Sequence, residues 1–353
     1  MRVLVTGATS LLGGSIARAL AERGDEVVCL QRRPMSSAAT VSAAAGSATD
    51  AAGATVGSIT EVLGDVRDLV TVARAAEGCD GVIHLAAKVG VVGEWEEYRS
   101  INVDGTAAVL EAVRRAGVGR LVHVSSPSVA HGGEPITGDA AEAPVLGRRR
   151  AWYPESKAIA EQLVLDAELP GIGVVVVRPH LVWGPGDTQL VGRIVERART
   201  GRLALVGSGA ALVDTLYLDN AVDGHLAALD AVAPGAACDR RAYVLTNAEP
   251  RPIRELVAGI CAAAGVPFAP RTVAPPVARA AGSLVERVWP LLRRDDEPPL
   301  TRFLAEQLGT AHWFDPEPAR RDLGYIPRVS VDEGLARLAA WFATTAGVRH
   351  AAG

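Results

Sequence analysis

The chain has 353 residues, 49% of them apolar, 22% charged and 4% aromatic, with a formal charge of −4. That length suits one large α/β domain with an appendage, or two domains, and the composition is ordinary for a soluble globular enzyme. The slight acidity excludes a nucleic-acid binder, which would present a basic face, and no apolar run approaches the roughly 20 residues that cross a bilayer. The chain enters a strand at once without a signal-peptide pattern, and Cys29, Cys79, Cys238 and Cys261 form no CxxC. A reducing, cytoplasmic location and no metal site are therefore expected.

Met1 to Thr6 reads as a short strand running into Gly7-Ala8-Thr9-Ser10-Leu11-Leu12-Gly13-Gly14 and a helical pattern to about Arg23. Strand, glycine turn and helix make a phosphate site: amides and the helix N-terminus face a pyrophosphate, and missing side chains let the backbone approach. Ser10 replaces the middle glycine of a full G-x-x-G-x-x-G, which weakens the match, although a serine can donate to a phosphate oxygen. The alternative is a plain strand-to-helix turn. A second strand, Glu26 to Leu30, ends in Gln31-Arg32-Arg33. An NAD site carries a carboxylate here for the ribose 2′-hydroxyl, whereas Gln31 lacks one and Arg32 and Arg33 bring cations. NADP(H) is favoured over NAD(H), unless one arginine merely closes a loop.

Residues 36–57 are almost wholly Ala, Ser, Thr and Gly, a low-complexity insertion for which no structure is predicted. A third strand ends at Gly64-Asp65-Val66, where Asp65 could accept from an adenine amine, and a helix follows to about Glu77. The fourth strand, Gly81 to Leu85, leads into Ala86-Ala87-Lys88. Small residues at the carboxyl end of a parallel strand let a nicotinamide lie against the backbone, with Lys88 at the pocket mouth. The next helix carries Asn102-Val103-Asp104-Gly105-Thr106. Asn with Gly three residues on is unfavourable mid-helix, so a close packing contact or a polar role is expected.

A fifth strand, Arg120 to Val124, ends in Ser125-Ser126-Pro127-Ser128, where a hydroxyl either bonds a carbonyl or simply makes a turn. A polar loop including Arg148 to Arg150 then reaches Trp152 and Tyr153-Pro154-Glu155-Ser156-Lys157, with Pro154 suited to a first helical position. Four residues apart on a helix, phenol and ammonium share one face. The chain has two lysines, Lys88 and Lys157, against 34 arginines. A compact ammonium beside a phenol is therefore a selective placement, with a surface pair as the alternative. The sixth strand, Gly173 to Val177, is a β-branched run expected of a strand covered on both faces. It ends in Arg178-Pro179-His180-Leu181-Val182-Trp183-Gly184-Pro185-Gly186.

Beyond it the βα rhythm loosens: a helix near Leu190 to Thr200, a seventh strand near Tyr243 to Thr246, and then mostly helix. Val277 to Leu292 is amphipathic, interrupted by Pro290, and reads as a pocket wall or partner surface first and an interfacial membrane contact second. The predicted fold is α/β: a Rossmann doubly wound parallel sheet of about seven strands over 1–186, with a strand returning near 242–247. A smaller, mostly helical substrate region takes 187–241 and 248–353.

These motifs together resemble the extended short-chain dehydrogenase/reductases over nearly the whole chain: Thr6-Gly7 through Gly13, Asp65, Ala86-Ala87, Asn102-Val103-x-Gly105-Thr106, Ser126, Tyr153-x-x-x-Lys157 and Arg178-Pro179. Pro298-Pro299-Leu300-Thr301-Arg302-Phe303 and Arg320-Arg321-Asp322-Leu323-Gly324-Tyr325 resemble the 3β-hydroxysteroid dehydrogenase/isomerase branch. Ser126-Pro127-Ser128-Val129, Trp183-Gly184-Pro185-Gly186-Asp187 and Trp289-Pro290-Leu291-Leu292 are similar to the OleD-type reductases of bacterial long-chain olefin biosynthesis. The resemblance implies NADPH-dependent reduction of a 2-alkyl-3-oxoalkanoate, a homo-oligomer, and a complex with a β-lactone synthetase and a β-lactone decarboxylase. It implies a cofactor set of Gly7, Ser10, Leu11, Leu12, Gly13, Arg32, Arg33, Asp65, Val66, Ala86, Ala87, Lys157 and Pro179, and a substrate set of Lys88, His180 and Trp183.

Its catalytic set is Tyr153, Lys157, Ser126 and Asn102. Tyr153 would donate its proton to the carbonyl oxygen, and Lys157 would lower a phenol pKa that is ordinarily about 10. Ser126 would hold the carbonyl and Asn102 would anchor a water leading from Lys157 to solvent. Lys88 is expected to choose the substrate, since a keto acid needs a cation and a sterol nucleus does not. A steroid dehydrogenase on NAD(H) and a non-enzymatic NADP(H)-sensing protein are the competing readings.

Overall fold

A computed structural model describes residues 1–35, 57–90, 93–130, 134–139, 141, 144, 147, 151–289, 301, 305–306 and 309–344. The low-complexity stretch up to 56, Arg148 to Arg150, and 290–292 lie outside the described residues.

The first half alternates strand and helix: β1 (Arg2–Thr6), α1 (Leu11–Glu22), β2 (Glu26–Gln31), β3 (Ile59–Leu63), α2 (Leu69–Ala76), β4 (Gly81–His84), α3 (Trp95–Tyr98) and a π-helical turn (Arg99–Asp104). Then come α4 (Gly105–Ala116), β5 (Arg120–Val124), a 3-10 turn (Pro127–Val129), β6 (Ile136–Asp139), α5 (Trp152–Asp166) and β7 (Gly173–Pro179). The second half has β8 (Val182–Trp183), α6 (Val191–Arg199), β9 (Ala204–Val206), β10 (Leu212–Val213), β11 (Leu216–Tyr217), α7 (Leu218–Ala231) and β12 (Arg241–Leu245). It closes with β13 (Arg251–Pro252), α8 (Ile253–Ala263), β14 (Arg271–Val273), α9 (Pro275–Val288), β15 (His312–Phe314), α10 (Glu317–Leu323) and α11 (Val331–Ala343).

Seven parallel strands form the main sheet in the order β12-β7-β5-β4-β1-β2-β3, the doubly wound Rossmann arrangement that the strand pattern predicts. Alternate residues serve opposite faces. Val3, Val5, Val122 and Val175 pack with Ile16 and Leu20 of α1 and Leu229 of α7, while Leu4, Val82, Leu121 and Val174 pack with Val72, Val109 and Val164 of α2, α4 and α5. Burial of each such side chain is worth about 1.5–3 kcal/mol. The order reverses between β1 and β4, which puts a ligand crevice at the carboxyl ends of those strands.

Helix α7 falls in a stretch expected to belong to the second region, yet it packs with α1 in the core of the main sheet. A further core, with Trp183, Ile194, Leu205, Tyr217, Ile260 and Leu338, holds α6, α8 and α11 together. Helix α9 carries the amphipathic stretch, but only Ala278 and Gly282 of it are buried, and Val277 and Leu284 stand about 60% exposed. Its apolar face is turned outward and takes no part in the ligand cleft. No helix among the described residues is long and apolar enough to cross a membrane.

Candidate active site

The carboxyl ends of the central strands open into a cleft of about 600 Å³, a volume that suits a small-molecule site. Gly7 has φ +78°, and a Cβ there would stand 2.9 Å from the Ala86 amide nitrogen. A Cβ on Gly13 would stand 2.4 Å from the Gly7 carbonyl oxygen. The turn, α1 and the strand end at Ala86 thus meet as only glycines permit. Ser10 caps α1: its Oγ accepts from Gly13 N at 3.0 Å and its hydroxyl donates to Gly7 O at 2.9 Å. The residue that weakens the sequence motif therefore closes the loop as an N-cap, worth about 1 kcal/mol.

Gly7, Ser10, Leu11, Leu12, Arg32, Arg33, Asp65, Val66, Ala86, Ala87 and Pro179 line this one cleft together with Ser126, Tyr153 and Lys157, and Gly13 backs it. Two buried polar groups in the lining were not singled out as binders. Gln31 has neither amide atom partnered among the described residues, and the Ser125 hydroxyl is likewise unpartnered there. Unmet buried groups cost about 1–3 kcal/mol each, so both are prepared for a polar ligand. Glycine cradle, helix N-terminus, exposed guanidinia and orphaned amide together fit a dinucleotide. The Asp65 carboxylate accepts from Arg67 N, Nε and Nη2 at 2.7–3.0 Å, and these bonds hold it below the usual carboxylate range.

The expected helix around Asn102 is a π-helical turn, the wider geometry that recurs at functional sites. Asn102 Oδ1 accepts from Lys88 N at 2.7 Å, and Nδ2 donates to Lys88 O at 3.0 Å and to Ser156 Oγ at 2.8 Å. The amide ties the segment at Lys88 to α5. Gly105 supplies the close contact: a Cβ there would lie 2.9 Å from a Val66 methyl. Below, Thr106 donates to Asn102 O at 2.6 Å, so His84 Nε2 must donate to Thr106 Oγ1, leaving Nδ1 to accept from Thr6. His84 is therefore neutral, and burial with the Lys157 charge beyond it pushes its pKa down to about 3.

Lys157 is 3% exposed and donates from Nζ to Val124 O at 2.5 Å. Burial pulls its pKa down to about 8, while Glu161 works the other way. Tyr153 hydrogen-bonds Ser126, which also accepts from the Ser128 hydroxyl at 2.9 Å. Burial raises the phenol pKa and the Ser126 bond only partly offsets this. The expected lowering by Lys157 is thus replaced by a raised value, because desolvation of the phenolate is the larger effect. At neutral pH this corner holds a protonated phenol.

None of the substrate set faces the cleft. Lys88 pairs with Glu97 at 3.0 Å and lies over the Tyr98 ring, so its charge is satisfied outside. Trp183 is fully buried, donates from Nε1 to Thr215 Oγ1 at 2.9 Å and packs edge-on against Tyr217, as a core residue of the second half. His180 is buried with Nδ1 donating to Asp214 O at 2.5 Å and its ring against Phe314. Val89 and Ile101 supply apolar lining instead, and Val182, Asp187 and Gln189 line the same cleft. Only adjacency to Lys88 and Asn102 could have pointed to the first two.

The chain matches the NAD dependent epimerase/dehydratase family over residues 3–243. It is 46% identical over 342 residues to a protein of Stenotrophomonas maltophilia named 2-alkyl-3-oxoalkanoate reductase, covering 96% of this chain and 99% of that one. It is 31% identical over 350 residues to a 3-beta-hydroxysteroid dehydrogenase of Mycolicibacterium neoaurum, covering 95% of this chain and 89% of that one. Among solved structures, a double mutant of a dTDP-glucose 4,6-dehydratase from Streptomyces venezuelae with NAD bound superimposes with a TM-score of 0.72. At 24% identity over 99% of this chain and 98% of that one, this likeness shows the fold.

Proposed function

The chain belongs to the NAD dependent epimerase/dehydratase family, within the extended short-chain dehydrogenase/reductases, and is an NAD(P)-dependent oxidoreductase, from which we propose that it reduces the 3-keto group of a long-chain 2-alkyl-3-oxoalkanoate with NADPH. The observation that carries this is the meeting of Tyr153, Ser126 and Lys157 in the cleft that also holds the glycine turn and Arg32 and Arg33. The cofactor supplies the hydride when bound, and the chain supplies position and electrostatics. Gly7, Ser10, Leu11, Leu12 and Gly13 take the pyrophosphate, Gln31, Arg32 and Arg33 the adenosine ribose with its 2′-phosphate, and Ala86, Ala87 and Pro179 the nicotinamide end.

Ser126 and Tyr153 hold the ketone oxygen between two hydroxyls. As negative charge grows on that oxygen, Tyr153 gives up its proton to it. A phenol kept protonated by burial suits the reducing direction, because oxidation of the alcohol would need the phenolate first. Lys157 favours the phenolate left behind and holds the cofactor's ribose. Val89 and Ile101 give the alkyl chains an apolar wall. On this reading the hydroxy acid passes to a β-lactone synthetase and decarboxylase in olefin synthesis.

A 3β-hydroxysteroid dehydrogenase activity is the second reading, favoured by the pairing of Lys88 with Glu97, which removes the expected carboxylate anchor from the cleft. NADPH oxidation measured with a long-chain 2-alkyl-3-oxo acid and with a 3-keto steroid separates the two. Turnover of the keto acid at least about tenfold faster is expected, a difference of about 1.4 kcal/mol in transition-state binding. Preference for the steroid would overturn the assignment.

A further inference from the structure

Behind Lys157 lies a buried polar layer on one face of the main sheet. Thr6, His84 and His123 are register neighbours across β1, β4 and β5, and Arg178 stands near the end of β7. The His84 and His123 rings are 5.4 Å apart, and His123 has neither ring nitrogen partnered among the described residues. Helix α5 brings Lys157 and Glu161 onto this layer one turn apart. Glu161 and Arg178 are at most 1% exposed and form a bidentate pair, Arg178 Nε donating to Oε2 at 3.1 Å and Nη2 to Oε1. The π-helical turn and α4 contribute Asn102 and Thr106, which do not titrate, and the 3-10 turn contributes Ser128 with Ser126 as its N-cap. On α3, Glu96 and Glu97 are exposed and paired with Arg99 and Lys88.

We propose that Glu161 is a positioning residue: its carboxylate, clamped by Arg178 one turn beyond Lys157, keeps the buried Lys157 ammonium charged. This rests on the reading that Lys157 acts in the cleft. The layer holds two cations, one carboxylate and two neutral imidazoles. An ammonium buried without an anion loses its proton instead of bearing the desolvation. Glu161 is the only acidic group among the described residues that raises the Lys157 pKa, and its charge is shared with Arg178. Glu161 acts on Lys157 directly, and Arg178 acts through its hold on that carboxylate. Removal of Glu161 takes away the carboxylate that favours the Lys157 ammonium, whereas removal of Arg178 releases that carboxylate to Lys157.

That opposition separates an electrostatic role from a scaffold role, because either variant breaks the same link between α5 and β7. The chain has two lysines, so isotope-labelled lysine gives two side-chain NMR signals in the full chain, and Lys88→Arg assigns them. In Glu161→Gln the Lys157 titration midpoint should fall by about one pH unit or more, and in Arg178→Gln it should rise. If either single variant fails to fold, Glu161→Gln combined with Arg178→Met leaves neither member of the ion pair charged without its partner. There the midpoint should still fall, since the carboxylate is the charge that Lys157 feels. Shifts of the same sign in both single variants, or an unmoved midpoint in the double variant, overturn the proposal. The pH dependence of NADPH oxidation should follow the midpoint. A midpoint that moves without the rate following retires the catalytic reading of Lys157 and leaves the hold of Glu161 supported.

Discussion

At the scale of single residues, the chemistry depends on one acidic proton and on two cations that select a phosphate. Replacing Tyr153 by Phe removes the donor and keeps the ring, so kcat should drop about 10²- to 10⁴-fold with KM nearly unchanged, measured as NADPH oxidation under saturating ketone. Retained turnover would remove the phenol from the mechanism. Arg32 and Arg33 are exposed at the end of β2 beside Gln31, a position where the charge of the ligand decides affinity. Charge-assisted contacts are worth about 1.5–3 kcal/mol, so Arg32→Ala with Arg33→Ala should raise KM for NADPH about 10- to 100-fold and leave NADH untouched. An equal loss on both cofactors would assign these arginines to general packing.

At the scale of elements, the site is held by polar links between segments remote in sequence. Asn102 joins the backbone of Lys88 to Ser156 on α5 and so fixes the strand end against the helix that carries Tyr153 and Lys157. Asn102→Ala leaves the Lys88 N–H and the Lys88 carbonyl short of a partner at about 1–3 kcal/mol each, while the Ser156 hydroxyl keeps its bond to Tyr153 O. A lower Tm together with a lower kcat is expected, read by thermal unfolding and steady-state kinetics; a variant as stable as the parent would show that water replaces the amide without loss. The motif Asn102-Val103-Asp104-Gly105-Thr106 announces that something unusual interrupts the helix. It does not reveal that the interruption is a π-helical turn, because the groups that Asn102 bonds belong to Lys88, beyond the end of β4, and to Ser156 on α5.

At the scale of the whole molecule, three buried histidines tie stability to pH. Burial pushes His84 to about 3 and His225 to about 4, from an ordinary 6.5, and His123 also well below that value. Below about pH 6.5 the unfolded chain binds protons that these folded imidazoles refuse, so stability falls as the pH drops toward 4. Asp214, raised to about 6 by burial, acts the other way through the same window, but it is one carboxyl against three imidazoles. Denaturant unfolding followed from pH 7 to pH 4 should show a steady loss of stability; a flat profile would mean that the histidines protonate in the folded state.

The sequence by itself determined the sheet, the glycine turn and the residues gathered at the carboxyl ends of its strands. Alternation of apolar residues, continuous valine runs and turn glycines are local signals, and local signals fix which strands form and where they end. The tertiary structure alone decided which charges remain available to a ligand. Lys88 and Asp65 were legible as candidates, yet Glu97 and Arg67 take their charges, while Trp183 disappears into the core of the second half. The raised phenol pKa of Tyr153 and the polar layer beneath Lys157 arise from desolvation and from partners on separate strands and helices. Such effects depend on distances in space, which spacing along the chain does not encode.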